Sequence, residues 1–210
     1  MTPADETRRI FDDAGAILEG DHFVYIAGDH GSGWVDKDVV YPDPNRIARL
    51  SDLLAALVRD WRVEVVCGPA TGGLVVAQWL AHRLGALAVF AEHDPTAPAG
   101  GAVRPPFVLR RGYDQLVRGR RVLAVDDIVS TGHSVRQTIA ALRAAGGEVV
   151  GAAAYITRGN VDAAGIGVGE LRTLLELRIP SWPAASCTLC AQGVPVNTRY
   201  AHGAEFVAAR

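Results

Sequence analysis

At 210 residues, 49% of them apolar, the chain can bury one sizeable core and carry at most a small appendage. A formal net charge of −2 gives no electrostatic case for a nucleic-acid partner. No apolar run reaches the ~20 residues of a membrane span, and the charged start MTPADETRRIFDD lacks the apolar centre of a signal peptide, so a cytoplasmic protein without membrane association is expected.

In chain order, Ile10, Ala14, Ile17 and Leu18 stand at helical spacing within residues 7–19, and Gly20 suits a C-terminal cap. HFVYIA then reads as a strand, and GDHGSGWVDKDVVYPDP as a glycine-broken polar loop that holds the single lysine, Lys37. Asp43 and Pro44 open a second helix whose buried face is Ile47, Leu50, Leu54 and Leu57. From there strands and helices alternate. VEVVC is a strand with Cys67 as a small core residue, GPATGG a turn, LVVAQWLAHRL a helix and ALAVFA a strand. HDPTAPAGGAVRPP, residues 93–106, reads as a mobile loop, followed by a short strand FVL and the basic turn RRGYDQ. RVLAVD is a strand, SVRQTIAALRAAGG a helix with Val135, Ile139 and Leu142 inward, EVVGAAAYI a strand, and LLELRI the last clear strand.

Continuous apolar strands separated by helices imply a parallel sheet covered on both faces, hence an α/β fold. One domain over 1–210 is expected, with its core at about 60–158 and a smaller lobe built from both ends, 1–59 and 159–210. In such sheets ligands bind outside the carboxyl ends of strands, where GPATGG, DDIVSTGHS and TRGN fall.

The stretch VLAVDDIVSTGHS, residues 122–134, joins two acids to a Ser-Thr-Gly-His-Ser turn. Backbone N–H groups at a helix start, with the positive end of the helix dipole, hold phosphate. Gly132 permits close approach, and the hydroxyls of Ser130, Thr131 and Ser134 add donors. Asp126 and Asp127 would repel that phosphate, but they suit the hydroxyls of a sugar, so a sugar phosphate fits both halves. Successive strand residues face opposite ways, so the two acids meet one sugar only if the chain turns between them. The stretch also reads as an ordinary strand–loop–helix joint with solvated acids. GPATGG is a second possible anion nest without Walker or dinucleotide spacing. Arg110 and Arg111 are either solvated surface or a phosphate clamp. Cys187 and Cys190 form CTLC; a structural zinc needs four ligands, His202 could be a third and no fourth is evident, so a C-terminal turn is the default reading.

VLAVDDIVSTGHS resembles the phosphoribosyl pyrophosphate (PRPP) signature of the type I phosphoribosyltransferases, and VCGPATGG supports the likeness. GDHGSGWVDKDVVYPDP, FVLRRGY and CTLCAQGVPV resemble orotate phosphoribosyltransferases, so the likeness spans roughly residues 15–198. The resemblance implies a parallel-sheet type I phosphoribosyltransferase core with a hood lobe from both chain ends, and transfer of a phosphoribosyl group to orotate in pyrimidine biosynthesis. It implies that Ser130, Thr131, Gly132, His133 and Ser134 hold the 5′-phosphate and that Ala70, Thr71, Gly72 and Gly73 hold pyrophosphate. Lys37 becomes a further PRPP contact, Thr131 and Arg158 base contacts, and Asp126, Asp127, Arg110 and Arg111 the catalytic set. Mg²⁺ would arrive with PRPP and waters near Asp126 and Asp127, without direct protein ligands. A homodimer that shares the mobile loop across its interface is implied too.

The chain departs from the family pattern at Asp29, where a basic residue is usual, at Gly31 for Ser, at Asp36 for Asn and at His93 for a loop lysine, for which Arg104, Arg110 or Arg111 could substitute. Another base, purine or modified pyrimidine, and a non-catalytic PRPP- or nucleotide-binding regulator are the alternatives.

Overall fold

The computed structural model describes residues 1–97 and 105–208. Helix α1 spans Pro3–Asp13 and strand β1 Ile17–Val24. The helix expected over 7–19 therefore ends early. Gly15 at φ +69° turns the chain, and Ile17 and Leu18 enter a strand instead of a helical face. Strand β2, His30–Val35, pairs antiparallel with β1, so the expected polar loop contains regular structure. Its glycines permit close packing: a Cβ on Gly31 would lie 2.0 Å from the Tyr25 hydroxyl, and one on Gly33 3.0 Å from the Leu18 carbonyl oxygen. With glycine at position 31, the Tyr25 hydroxyl occupies the space of a side chain and donates to the Gly33 carbonyl at 2.7 Å.

Helix α2 begins at Pro44, as the helix-opening proline requires, and runs to Val58. There follow β3 (Val65–Pro69), α3 (Gly72–Leu84), β4 (Leu87–His93), β5 (Phe107–Val108), α4 (Tyr113–Val117), β6 (Arg121–Val129) and α5 (His133–Ala144). Next come β7 (Glu148–Arg158), α6 (Ala163–Ile166), β8 (Leu171–Leu177), β9 (Ser181–Trp182), α7 (Thr188–Ala191) and α8 (Gly203–Ala208). The last two helices and β9 carry no apolar periodicity long enough to announce them. Residues 98–104, most of the expected mobile loop, lie outside the described residues, and so does Arg104.

The chain divides into two compact units. The larger comprises Met1–Thr7 with Pro44–Glu176, and the smaller Arg8–Asp43 with Leu177–Arg210. In the larger, a six-stranded sheet runs β5-β4-β3-β6-β7-β8. The β3–β4, β3–β6 and β6–β7 pairs are parallel, and short β5 is antiparallel to β4. The central strands are apolar on both faces because helices cover both, which produces the continuous Val and Ala runs. Val65, Cys67, Val122, Ala124, Ala152 and Ala154 are buried in one cluster with Val135, Ile139 and Leu142 of α5. Burial pushes the Cys67 thiol up to about 12, so this cysteine stays protonated and unreactive at neutral pH. In the smaller unit a three-stranded sheet runs β1-β2-β9.

One buried polar pair sits within the larger unit's packing: Ser51 Oγ of α2 and the Tyr155 hydroxyl of β7 lie 2.9 Å apart. Tyr155→Phe should cost about 1–3 kcal/mol, because the Ser51 hydroxyl is left buried without its partner. Adding Ser51→Ala should recover part of that loss. Urea unfolding of the two single variants and the double variant measures it, and strict additivity would show that the pair has no coupling.

Candidate active site

Strands β3, β4, β6 and β7 run parallel, so their carboxyl ends share one edge of the sheet. Every sequence-derived site residue of the larger unit falls at this edge. At the end of β6, the loop Ser130–Ser134 leads into α5 with Gly132 as its N-cap, at φ +71°. A glycine cap has no side chain to bond the first N–H groups of this three-turn helix, and the His133 N–H reaches only the Thr131 hydroxyl, at a long 3.4 Å. Asp126, Ile128, Val129, all of Ser130–Ser134 and Val135 line a pocket of about 120 Å³ there. A polar pocket at an open helix N-terminus suits a phosphate group.

Two residues that the sequence reading did not single out shape this loop. The Arg136 guanidinium donates to the Thr131 carbonyl at 3.0 Å and so braces the turn from one helical turn below. Ile166 of α6 lies under Gly132, and a Cβ on that glycine would come within 2.4 Å of its Cγ2. The i, i+4 spacing of Gly132 and Arg136 offered a signal for the first. Nothing in the sequence announced the second, because α6 has only four residues.

The two acids do not behave as one pair. The β6–β7 ladder continues through them, with Asp126 opposite Ala154 and Ile128 opposite Ile156. The chain therefore makes no turn between them, contrary to the condition set for both carboxylates to meet one sugar, and alternation sends them to opposite faces. Asp126 lines the pocket. Asp127, 4% exposed, lies towards Tyr155, whose phenol is pushed up mainly by burial and further by that carboxylate. Each acid accepts the amide N–H that follows it: Asp127 N–H to Asp126 Oδ1 at 3.0 Å, and Ile128 N–H to Asp127 Oδ1 at 2.6 Å.

The GPATGG turn follows β3. A Cβ on Gly68 would lie 2.1 Å from the Gly73 carbonyl oxygen, and one on Gly73 would lie 2.4 Å from Pro69 Cδ. The loop thus folds back on itself in a way only glycine permits, leaving Ala70 and Thr71 exposed ahead of α3, with a cis peptide between them. Arg158 ends β7 one residue past Thr157, which pairs with Val129. The following Gly159 packs beside the phosphate-type loop, 3.8 Å separating its Cβ position from the Ser130 carbonyl oxygen. Arg158 thus follows the ladder's last pair, next to the strand that leads into the pocket loop.

Arg110 and Arg111 meet at Glu92 near the end of β4. Arg111 donates to both carboxylate oxygens at 2.9 and 3.0 Å, and Arg110 to one at 3.4 Å. Exposed pairs of this kind are worth little, so the arginines can exchange Glu92 for an incoming phosphate at small cost. His93 is held by the Pro105 carbonyl at 2.6 Å and packs on Phe107, so it anchors the two ends of the loop. Lys37 belongs to the smaller unit, where its ammonium pairs with Asp38 at 3.1 Å and lies over the Tyr41 ring. His202, suggested as a partner of the cysteine pair, faces Glu205 instead at 3.9 Å.

The family model described as "Phosphoribosyl transferase domain" matches residues 37–163. The orotate phosphoribosyltransferase of Methylobacterium sp. (strain 4-46) is 44% identical over 186 residues, 88% of each chain. That of Thermus thermophilus is 38% identical, over 87% of this chain and 93% of its own. Among solved structures, the orotate phosphoribosyltransferase from Aeropyrum pernix superposes with a TM-score of 0.64 at 28% identity, covering 80% of this chain and 92% of that one. With its signature loop at the end of β6 and this likeness along nearly the whole chain, the protein belongs to the phosphoribosyltransferase family and groups with its orotate phosphoribosyltransferases.

Proposed function

We propose that the protein transfers the 5-phosphoribosyl group of PRPP to orotate, giving orotidine 5′-phosphate and pyrophosphate. The observation that carries this reading is the polar pocket where Asp126 meets the open N-terminus of α5. The choice of base rests on the relatives named for orotate.

In this reading Ser130–Ser134 hold the 5′-phosphate through backbone N–H groups and hydroxyls, and Gly132 lets the anion reach the backbone. Asp126 accepts hydrogen bonds from ribose hydroxyls. Asp127, below the pocket, orients the strand end through its bond from the Ile128 amide. Ala70–Gly73 cradle the pyrophosphate, and Arg110 and Arg111 turn from Glu92 to the leaving group. Lys37 keeps the ligand-contact role that the resemblance implies. Arg158 pairs with the orotate carboxylate or a ring carbonyl, and Thr131 completes the base contacts. The base nitrogen attacks ribose C1 while the C1–oxygen bond breaks, and its electron pair leaves with pyrophosphate. Orotate already carries negative charge, so the reaction needs no strong general base. The enzyme's task is to place the reactants and to neutralise charge on the departing group.

The donor set fits Mg²⁺, a hard cation that favours carboxylate and water oxygens; Asp126, the acid that lines the pocket, would hold its waters near the sugar. When bound, the ion offsets the charge of the pyrophosphate. Among the described residues no helix is long and apolar enough to cross a membrane. A cytoplasmic homodimer completes the proposal.

The test of function is pyrophosphate release from PRPP and Mg²⁺ with orotate beside a panel of purines and other pyrimidines. Release with orotate is expected; release with a different base only would replace this reading, and silence with intact PRPP binding would make the protein a binder. Asp126→Asn should lower kcat/KM for PRPP by about 10- to 100-fold, the equivalent of about 1.5–3 kcal/mol for hydrogen bonds to a charged group. Gly132→Ala should raise the KM for PRPP, since its methyl group must displace Ile166 at a left-handed position that costs about 1–2 kcal/mol. Arg158→Ala should abolish orotate use and leave PRPP binding nearly unchanged by calorimetry; normal orotate turnover in that variant sinks the base assignment.

A further inference from the structure

The smaller unit contains a side-chain cluster that phosphoribosyl transfer does not use. His22 of β1, His30 at the start of β2, Cys187 capping α7 and Cys190 within α7 present ligand atoms that all lie within 4.8 Å of one another. Both histidines and Cys187 are buried, and Cys190 is partly so. We propose that these four residues bind one structural zinc ion that fastens the C-terminal segment to the β1–β2 hairpin.

The distances favour a tetrahedral ion. Zinc bonds of about 2.3 Å to sulfur and 2.0–2.1 Å to nitrogen place tetrahedral neighbours roughly 3.3–3.8 Å apart. Cys187 Sγ lies 3.6 Å and Cys190 Sγ 3.8 Å from His22 Nε2, and Cys190 Sγ lies 3.4 Å from His30 Nδ1. The His22 Nε2 to His30 Nδ1 approach, 2.7 Å, is shorter than these and must open by roughly 0.6 Å around an ion.

The surroundings prepare the ligands. His22 Nδ1 lies 2.8 Å from the Val194 carbonyl, which can only accept. The ring proton is thereby held at Nδ1, and in the neutral ring the Nε2 lone pair points at the cluster. A register shift between Glu19 and Phe23 in β1 re-aims His22. His30 stands opposite Val24, diagonally across from His22 on the same face, and the edge of Phe206 covers its ring. The Cys190 amide donates to Cys187 Sγ at 3.4 Å and so fixes the position of that sulfur. Two thiolates, two neutral imidazoles and Zn²⁺ sum to zero charge, so the ion can be buried without an uncompensated charge. Mixed sulfur and imidazole donors in tetrahedral array select zinc, and four protein ligands leave no open position for catalysis. The metal would join residues 22 and 30 to residues 187 and 190, two segments distant in sequence within one small unit.

The test is metal analysis of untagged protein purified without chelators from zinc-supplied cells. About one zinc per chain is expected, and replacing it with Co²⁺ should give the intense visible bands of a tetrahedral ion together with thiolate charge-transfer absorption. Cys190→Ser and His22→Asn should each lower zinc content about tenfold or more, whereas His202→Asn should leave it unchanged. If the first two variants do not fold, the zinc ratio and cobalt spectrum of the unmutated protein decide the matter. Folded protein without zinc and without the cobalt bands overturns the proposal; so does a Cys187–Cys190 disulfide in freshly purified protein, or zinc that depends on His202.

Discussion

The parallel ladder between β6 and β7 is the constraint on which the site depends. It holds Asp126 and Asp127 in extended backbone, so their side chains must part to opposite faces of the sheet. The same ladder ends both strands together, with Val129 opposite Thr157, and thereby sets Arg158 beside the Ser130–Ser134 loop. A slip of one residue would exchange the two acids and turn Asp127 to the pocket. The apolar strand faces of the core, Val122 to Val125 against Ala152 to Ala154, hold that register by packing helices on both sides.

Two nearly buried carboxylates at the end of a hydrophobic strand are costly, and the cost is met locally. Each accepts a backbone N–H from the next residue, which replaces part of the lost hydration. Their roles then separate. Asp126 is presented to a ligand, and Asp127 belongs to the floor with Tyr155 and Ser51. Around them, glycines take positions where a methyl group would collide with backbone or a core side chain. Gly68 and Gly73 fold the GPATGG turn on itself, and Gly132 rests on Ile166. These loops are shaped by contact as much as by conformational freedom.

The smaller unit follows other rules. Its sheet has three strands, glycine interrupts β2 twice, and its histidine–cysteine cluster stands where a larger domain would place apolar side chains. A zinc ion there would supply cohesion that so few residues cannot obtain from burial alone. Close packing appears here too, with Gly31 beneath Tyr25.

Much of the larger unit was legible because its physics is local. Alternating apolar runs marked β3, β4, β6 and β7 and the helices between them, and the two acids followed by Ser-Thr-Gly-His-Ser marked the pocket loop. The N-terminal region was misread because glycine near polar residues looks the same in a loop and in a close-packed hairpin; only the position of Tyr25 distinguishes them. The sequence alone determined the α/β class and the order of strands and helices in the core, since periodicity along the chain carries that information. Tertiary structure alone decided which acid faces the pocket, that Glu92 holds both arginines, and that His22 and His30, not His202, join Cys187 and Cys190. Those outcomes rest on strand register and on contacts between residues far apart in sequence, and neither can be read from neighbours along the chain.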